Sequence, residues 1–260
     1  MQNKNVFHNL LQLDKILVVV MFVVYFSGCS YFDTTLKASP AKDSGFLEHP
    51  EEMTAQNKRF PFNRVWCIND GCDWSKYSSI IISEVDTNHI LKMSWWDNFN
   101  VESKNKLQND RHEIANYIQK SFHAAIKNDN NKYHEVVYTP KNKTMVLEIA
   151  LVELIPTKAF MRAAVDFLGL IIPGVQLLGL TGSGSVAIEG RIRDESTGKI
   201  IFKFADREQD KSSIVSLNDL TWHGHAKEIV DDWALEFVEL YDTHPSHMVK
   251  AASQFKLRPW

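Results

Sequence analysis

Cys67 and Cys72 stand in Trp66-Cys67-Ile68-Asn69-Asp70-Gly71-Cys72-Asp73-Trp74, a spacing open to three chemistries. A zinc site needs further thiolate or imidazole ligands at regular spacing, and no second cysteine pair exists. A thioredoxin-like redox pair has two residues between its cysteines, and here Ile68 to Gly71 intervene. A structural disulfide asks only for an oxidising compartment and a turn, and Asn69-Asp70-Gly71 supplies the turn. The disulfide is the expected state. Closing so short a loop is worth about 2 kcal/mol on the chain-entropy model.

A second group of candidate ligands lies in Thr221-Trp222-His223-Gly224-His225-Ala226-Lys227-Glu228. On a helix, His225 and Glu228 share a face. The H-E-x-x-H pattern is absent and a third ligand has to come from elsewhere, so no metal is expected. Asp194, Asp206 and Arg207 read as a turn cap and a surface ion pair, and Glu189 with Arg191 as a cross-strand pairing. The sequence has no G-x-S-x-G elbow, P-loop or dinucleotide glycine fingerprint. Gly182-Ser183-Gly184 precedes a strand, where it cannot set a phosphate at a helix N-terminus. Neither a catalytic residue nor a cofactor is expected.

Which redox state applies depends on compartment, and the N-terminus speaks to that. Lys4 and Lys15 stand against Asp14, and Ile16 to Phe26 then run without a charge. That run is far short of the ~20 residues a spanning helix needs, and it matches the apolar core of a secretory signal. Ser27-Gly28-Cys29 follows and resembles the bacterial lipobox, with Phe26 where that box usually has Leu. The resemblance implies cleavage after residue 28, a diacylglycerol thioether on Cys29 and acylation of the new amino group. Several acyl chains together hold a protein stably to a bilayer, where one holds it marginally. Ser30, being other than Asp, implies by similarity to Gram-negative sorting signals an anchor in the outer membrane's inner leaflet, facing the periplasm.

The 260 residues are 44% hydrophobic and 23% charged, enough for a real core, with a formal charge of −3 in mixed sign. No Lys/Arg block exists, so nucleic acid is not an expected partner.

Four segments follow: a signal over 1–28, a lipidated start and flexible tether over 29–60, one domain over 61–243, and a tail over 244–260. In the tether, Ser39-Pro40, Asp43-Ser44-Gly45 and His49-Pro50 are turn signals, with Phe46-Leu47 as a docking point. Tyr77 to Asp86 reads as a first strand. Leu107, Ile114, Tyr117, Ile118, Phe122 and Ile126 recur at helical spacing. Glu135–Tyr138 and Thr144–Ile155 are strand-like, the latter apolar on both faces as a centrally covered strand should be. Val186, Ile188 and Ile192 alternate with Ala187, Glu189, Arg191 and Arg193, and Ile200, Phe202 and Phe204 with Ile201, Lys203 and Ala205. Glu195-Ser196-Thr197-Gly198 between them completes a hairpin. A last helix over His225 to Tyr241 has Ile229, Trp233, Phe237 and Leu240 as its inner stripe. The expected fold is α+β: a mainly antiparallel sheet of about five strands with two helices on one face.

Gly184-Ser-Val-Ala-Ile-Glu-Gly-Arg-Ile-Arg-Asp194, Thr197-Gly198 and Phe204-Ala-Asp-Arg207 carry a family likeness, with Ser44-Gly45-Phe46-Leu47, Trp222-x-Gly224 and Trp233-Ala234. Over residues 44 to 240 the chain resembles an uncharacterised group of Gram-negative lipoproteins, domain of unknown function 3313. The likeness implies location and fold, not chemistry. The element order is also similar to small periplasmic modules such as the curli secretion lipoprotein, a likeness of fold only.

Residues 159–180 are the least ordinary stretch, and Phe167 to Leu180 are uncharged throughout. Pro173-Gly174 breaks any helix there. The readings are a buried loop, a protein interface at Phe167, Leu170, Ile171, Ile172, Pro173, Leu177 and Leu178, or contact with lipid. The expected function is a non-catalytic outer-membrane lipoprotein that binds envelope proteins or its own copies through this segment. A periplasmic metal-dependent hydrolase using His223, His225 and Glu228, or a small-ligand or lipid binder, is the alternative.

Overall fold

A computed structural model describes residues 38–55, 60–68, 72–92, 101–131, 134–155, 184–209, 222–242, 248–249 and 251. Residues 1–37, with Cys29, lie outside the described residues, as do the turn 69–71, segment 156–183 and nearly all of the tail.

The strands are β1 (Thr54–Ala55), β2 (Arg64–Cys67), β3 (Ser79–Ile82), β4 (Glu135–Val136), β5 (Thr144–Ile155), β6 (Ser185–Asp194) and β7 (Ile200–Gln209). Helix α1 (Val101–Asn128) joins β3 to β4, and α2 (Trp222–Asp242) follows β7. The sheet has seven strands in the order β1-β2-β7-β6-β5-β3-β4. Its expected description needs correcting in two ways. It has seven strands rather than about five, and it is mixed: β3 runs parallel to both β4 and β5. The cause is α1, which carries the chain back over the sheet so that the next strand points the same way. The two strands that periodicity missed, β1 and β2, are too short to show an alternation.

The β5, β6 and β7 ladder matches the sequence pattern closely. Leu147 pairs with Ile192 and Ile188 with Asp206 across two antiparallel seams. One face of these strands, with Met145, Leu147, Val186, Ile188, Phe202 and Phe204, packs on both helices. Ile114, Ile118 and Phe122 of α1 and Ile229, Trp233 and Phe237 of α2 are at most 2% exposed. Phe237 sits 5.5 Å from Phe122 and 5.9 Å from Phe204, joining both helices to the sheet through aromatic rings. Gly190 is required in β6, because a Cβ there would lie 2.1 Å from the Phe204 ring.

The sheet's other face is covered too. Residues 38–55, expected as spacer, lie across it as a strap, and Phe46 and Leu47 dock as their sequence suggested. Phe46, Leu47 and Met53 bury themselves against Ala150, Val152, Ala187 and Ala205. Small residues at those sheet positions let the strap come close. The space left among Pro40, Ala41, Val152, Glu189 and Ala205 is about 10 Å³, room for one water at most.

Candidate functional site

The strap and the strand face beneath it gather most of the charged side chains that the family likeness picks out. Alternation puts Glu189, Arg191 and Arg193 of β6 on the face away from the helices, level with Lys203 and Arg207 of β7. On a solvated sheet these would be surface charges. Under the strap each finds a fixed partner.

Ser44 donates its main-chain N–H and its hydroxyl to the two carboxylate oxygens of Glu189, at 3.1 and 2.7 Å. The same hydroxyl accepts from the Phe46 N–H at 3.2 Å, and Gly45, at φ 87°, makes this tight turn without strain. Two residues along β6, Arg191 donates to the Phe46 carbonyl at 2.9 Å and stacks its guanidinium 4.5 Å from the Phe46 ring centre. Two further along, Arg193 bonds Glu48 at 3.0 Å and Glu148 at 2.9 Å. The strap therefore runs beside β6 in step with it, one contact for every second residue.

Lys203 ends the clasp. Its side chain is 3% exposed, and its Nζ donates to the Glu48 carbonyl at 2.8 Å, the His49 carbonyl at 3.1 Å and Glu52 at 3.2 Å. It also lies 4.5 Å from the Trp66 ring centre. A buried ammonium with three oxygen partners is fully satisfied. At the opposite end of β7, Arg207 bonds Glu153 at 2.7 Å, Ser185 at 3.2 Å and the Ser39 carbonyl at 3.4 Å.

These ion pairs shift titrations in consistent directions. Burial pushes the Glu148 carboxyl up, but the hydrogen bonds and charges of Arg191 and Arg193 outweigh it and hold it below the ordinary range. Glu48 is lowered, first by its hydrogen bond from Arg193. Arg193 is raised, because Glu148 and Glu48 outweigh its burial.

The remaining expected residues divide. Cys67 and Cys72 are joined as a disulfide, with Cα atoms 5.5 Å apart. Asp194 caps the β6–β7 turn as expected, accepting from Ser196 and the Thr197 N–H, and also from the Tyr77 hydroxyl at 2.9 Å. Its carboxyl is held well below the usual range, most of all by Ser196. The expected surface pair of Asp206 with Arg207 does not form, because successive strand residues face opposite ways. Asp206 is buried on the helix side, accepting from Trp233 Nε1 at 2.8 Å and the Asn63 N–H at 2.7 Å. Glu189 and Arg191 likewise do not pair with each other; each holds a different part of the strap.

His223 and His225 fall within α2, and the His223 side chain is outside the described set. Among the described residues, no three His, Cys, Asp or Glu side chains gather closely enough to hold a metal. An open hollow of about 600 Å³ runs along α1 and α2. Within it Asp231 takes hydrogen bonds from Tyr117 at 2.9 Å and Ser121 at 2.8 Å. Among the described residues no helix is long and apolar enough to cross a membrane.

Fold and site together define a single-sheet α+β module whose N-terminal segment is clasped to the face opposite its helices. The chain belongs to the family described as Protein of unknown function (DUF3313), whose model matches residues 42–237 and so takes in the strap from before Ser44. No curated protein matches the sequence. Solved structures similar to it include a PelC dodecamer from Paraburkholderia phytofirmans, 9% identical over 66% of this chain and 95% of that one, TM-score 0.36. A Xanthomonas campestris protein of family DUF330 is 9% identical over 71% of this chain and 90% of that one, TM-score 0.32. Likenesses this distant carry no argument about function.

Proposed function

We propose that this chain is a non-catalytic lipoprotein of the Gram-negative outer membrane that binds other envelope proteins, or its own copies, through residues 159–180. One observation carries the reading: Ile155 and Ser185 are paired neighbours across β5 and β6, so residues 156–183 leave and re-enter the sheet at one point. A connection of that length inside a hairpin is far beyond the usual two to five residues, and connections this long are usually either functional or linkers. Its uncharged run, Phe167 to Leu180, suits an apolar partner. The anchor at Cys29 rests on the lipobox resemblance alone. Residues 30–37 separate Cys29 from the strap and reach at most about 30 Å, which keeps an anchored domain beside its membrane.

In-cell photocrosslinking from Leu170 or Leu177 tests the binding surface, with capture of a defined envelope protein or a second copy as the expected result. Crosslinks to neither would overturn it. Mass spectrometry of the mature N-terminus tests the anchor, with Cys29→Ser as the unacylated control.

A further inference from the structure

Two separate things hold the strap: contacts that any copy of residues 38–48 would satisfy, and one corner that ties those residues to their own domain. Glu189 has Ser44 as its partner and Arg64 has Asp43, and among the described residues neither side chain finds another. Phe46 and Leu47 fill a floor of small side chains at Ala150, Ala187 and Ala205. With residues 38–48 away, that floor would be bare, and Glu189 and Arg64 would stand without a counterpart. The face is complementary in charge and shape to this one segment.

The corner lies at His49. Its φ of 49° and ψ of 58° put a residue with a Cβ into the left-handed region. Pro50 follows, and a proline steers the residue before it toward extended backbone. The conformation is therefore disfavoured twice. Beyond the corner the chain is fixed to its own domain. The Glu52 N–H donates to the His49 carbonyl at 3.2 Å, the Met53 N–H to the Pro50 carbonyl at 3.1 Å, and β1 pairs with β2. Glu52 also keeps Lys203 in place beside the corner, where its Nζ receives the Glu48 carbonyl. The His49 side chain is 71% exposed and its ring bonds Glu51, two residues on, so no buried packing locks the corner shut.

We infer that residues 38–48 exchange between two copies of the chain, each docking on the sheet face of the other, with His49 as the hinge. The closed and exchanged forms share every strap contact, so the hinge weighs heavily in the balance between them. Straightening His49 removes its strain in both chains at once, and strained hinges favour this kind of exchange. The inference goes beyond the proposed function, since it needs neither the acyl anchor nor residues 159–180.

The test uses the full chain in detergent, with Phe46 replaced by the photoreactive p-benzoylphenylalanine. It is mixed with heavy-isotope wild-type chain, unfolded in urea and refolded together at high concentration, Cys67 and Cys72 staying oxidised. Monomer and dimer are separated by size and illuminated. The dimer should yield peptides joining position 46 of a light chain to heavy β5, β6 or β7, and the monomer should join light to light alone. Dimer crosslinks that all stay within one chain would overturn the exchange and leave self-association through 159–180 standing. His49→Gly, at ease in the left-handed region, should raise the dimer dissociation constant about tenfold, and the β-branched His49→Val should lower it by about as much. Equal constants in all three proteins, or no dimer in any, would overturn the inference.

Discussion

Ser44 and Glu189 are 145 residues apart, yet the serine offers both its N–H and its hydroxyl to the two oxygens of one nearly inaccessible carboxylate. Glu189→Ala removes both acceptors and leaves a part-buried main-chain N–H without a partner, a loss of about 2 kcal/mol. The urea midpoint should fall accordingly, and limited proteolysis should acquire cleavage sites between residues 40 and 50. Glu189→Gln, which keeps one good acceptor, should lose less. Unchanged protease resistance in the alanine variant would show that the strap does not depend on this clasp.

Lys203→Met keeps the stem but removes the ammonium that ties the Glu48 and His49 carbonyls and Glu52. Stranding these oxygens costs about 3 kcal/mol. Hydrogen exchange should quicken in residues 46–55 more than in α1 or α2. Uniform loss of protection would instead place the lysine in the general core.

Gly190→Ala forces a methyl into the Phe204 ring, which is itself stacked 4.6 Å from Phe62. Overpacking of this kind costs roughly 1–3 kcal/mol, with the higher figure expected where an aromatic stack has to move. Combining Gly190→Ala with Phe204→Leu should recover part of the loss in a thermal melt. An additive double variant would mean the clash is relieved elsewhere.

The strap should loosen in acid. Glu48 and Glu148 carry carboxyls held below their ordinary values, Glu48 chiefly by hydrogen bonding to Arg193 and Glu148 by arginines that outweigh burial. A depressed folded value gives stability that is full above the unfolded value, about 4.3, and is lost as pH falls through the lower folded one. Strap protection should hold from neutral pH down to about 5 and fall away below about 4. In Glu148→Gln that acid slope should shrink. Loosening centred between pH 6 and 8 would point to a histidine instead.

Reduction of the Cys67–Cys72 bond should lower stability by about 2 kcal/mol without unfolding the domain. The pair closes a short loop at the end of β2, where Trp74 packs edge-on against Phe202, 5.0 Å away. Near-ultraviolet circular dichroism should change with dithiothreitol while the far-ultraviolet signal stays.

Local pattern carried the central ladder and both helices, because a strand with one buried face and a helix with one apolar stripe announce themselves within ten residues. Thr144–Ile155, apolar on both sides, also announced that something covers the second face. Of what covers it, only the Phe46-Leu47 docking point was legible. Ser39, Ser44 and Glu48 sit in turn-rich sequence that reads as tether, and their partners are more than a hundred residues downstream. Glu189 and Arg191 read as a pairing with each other for the same reason: nothing nearby in sequence shows what lies above them. Periodicity is likewise silent on the parallel placement of β3, which depends on where α1 returns the chain.

The clasp also sets an order of events during biogenesis. Apart from Asp43, ion-paired with Arg64 of β2, residues 39–48 find their sheet partners in β5, β6 and β7. A ribosome delivers residues 39–48 long before β6 and β7 exist, so most contacts of the leading segment must wait while α1 and β5 form behind it. Docking it is the closure of a very long loop, entropically late by nature. Until then the face it will cover, with its small alanines and unanswered charges, stays available to whatever accompanies the nascent polypeptide.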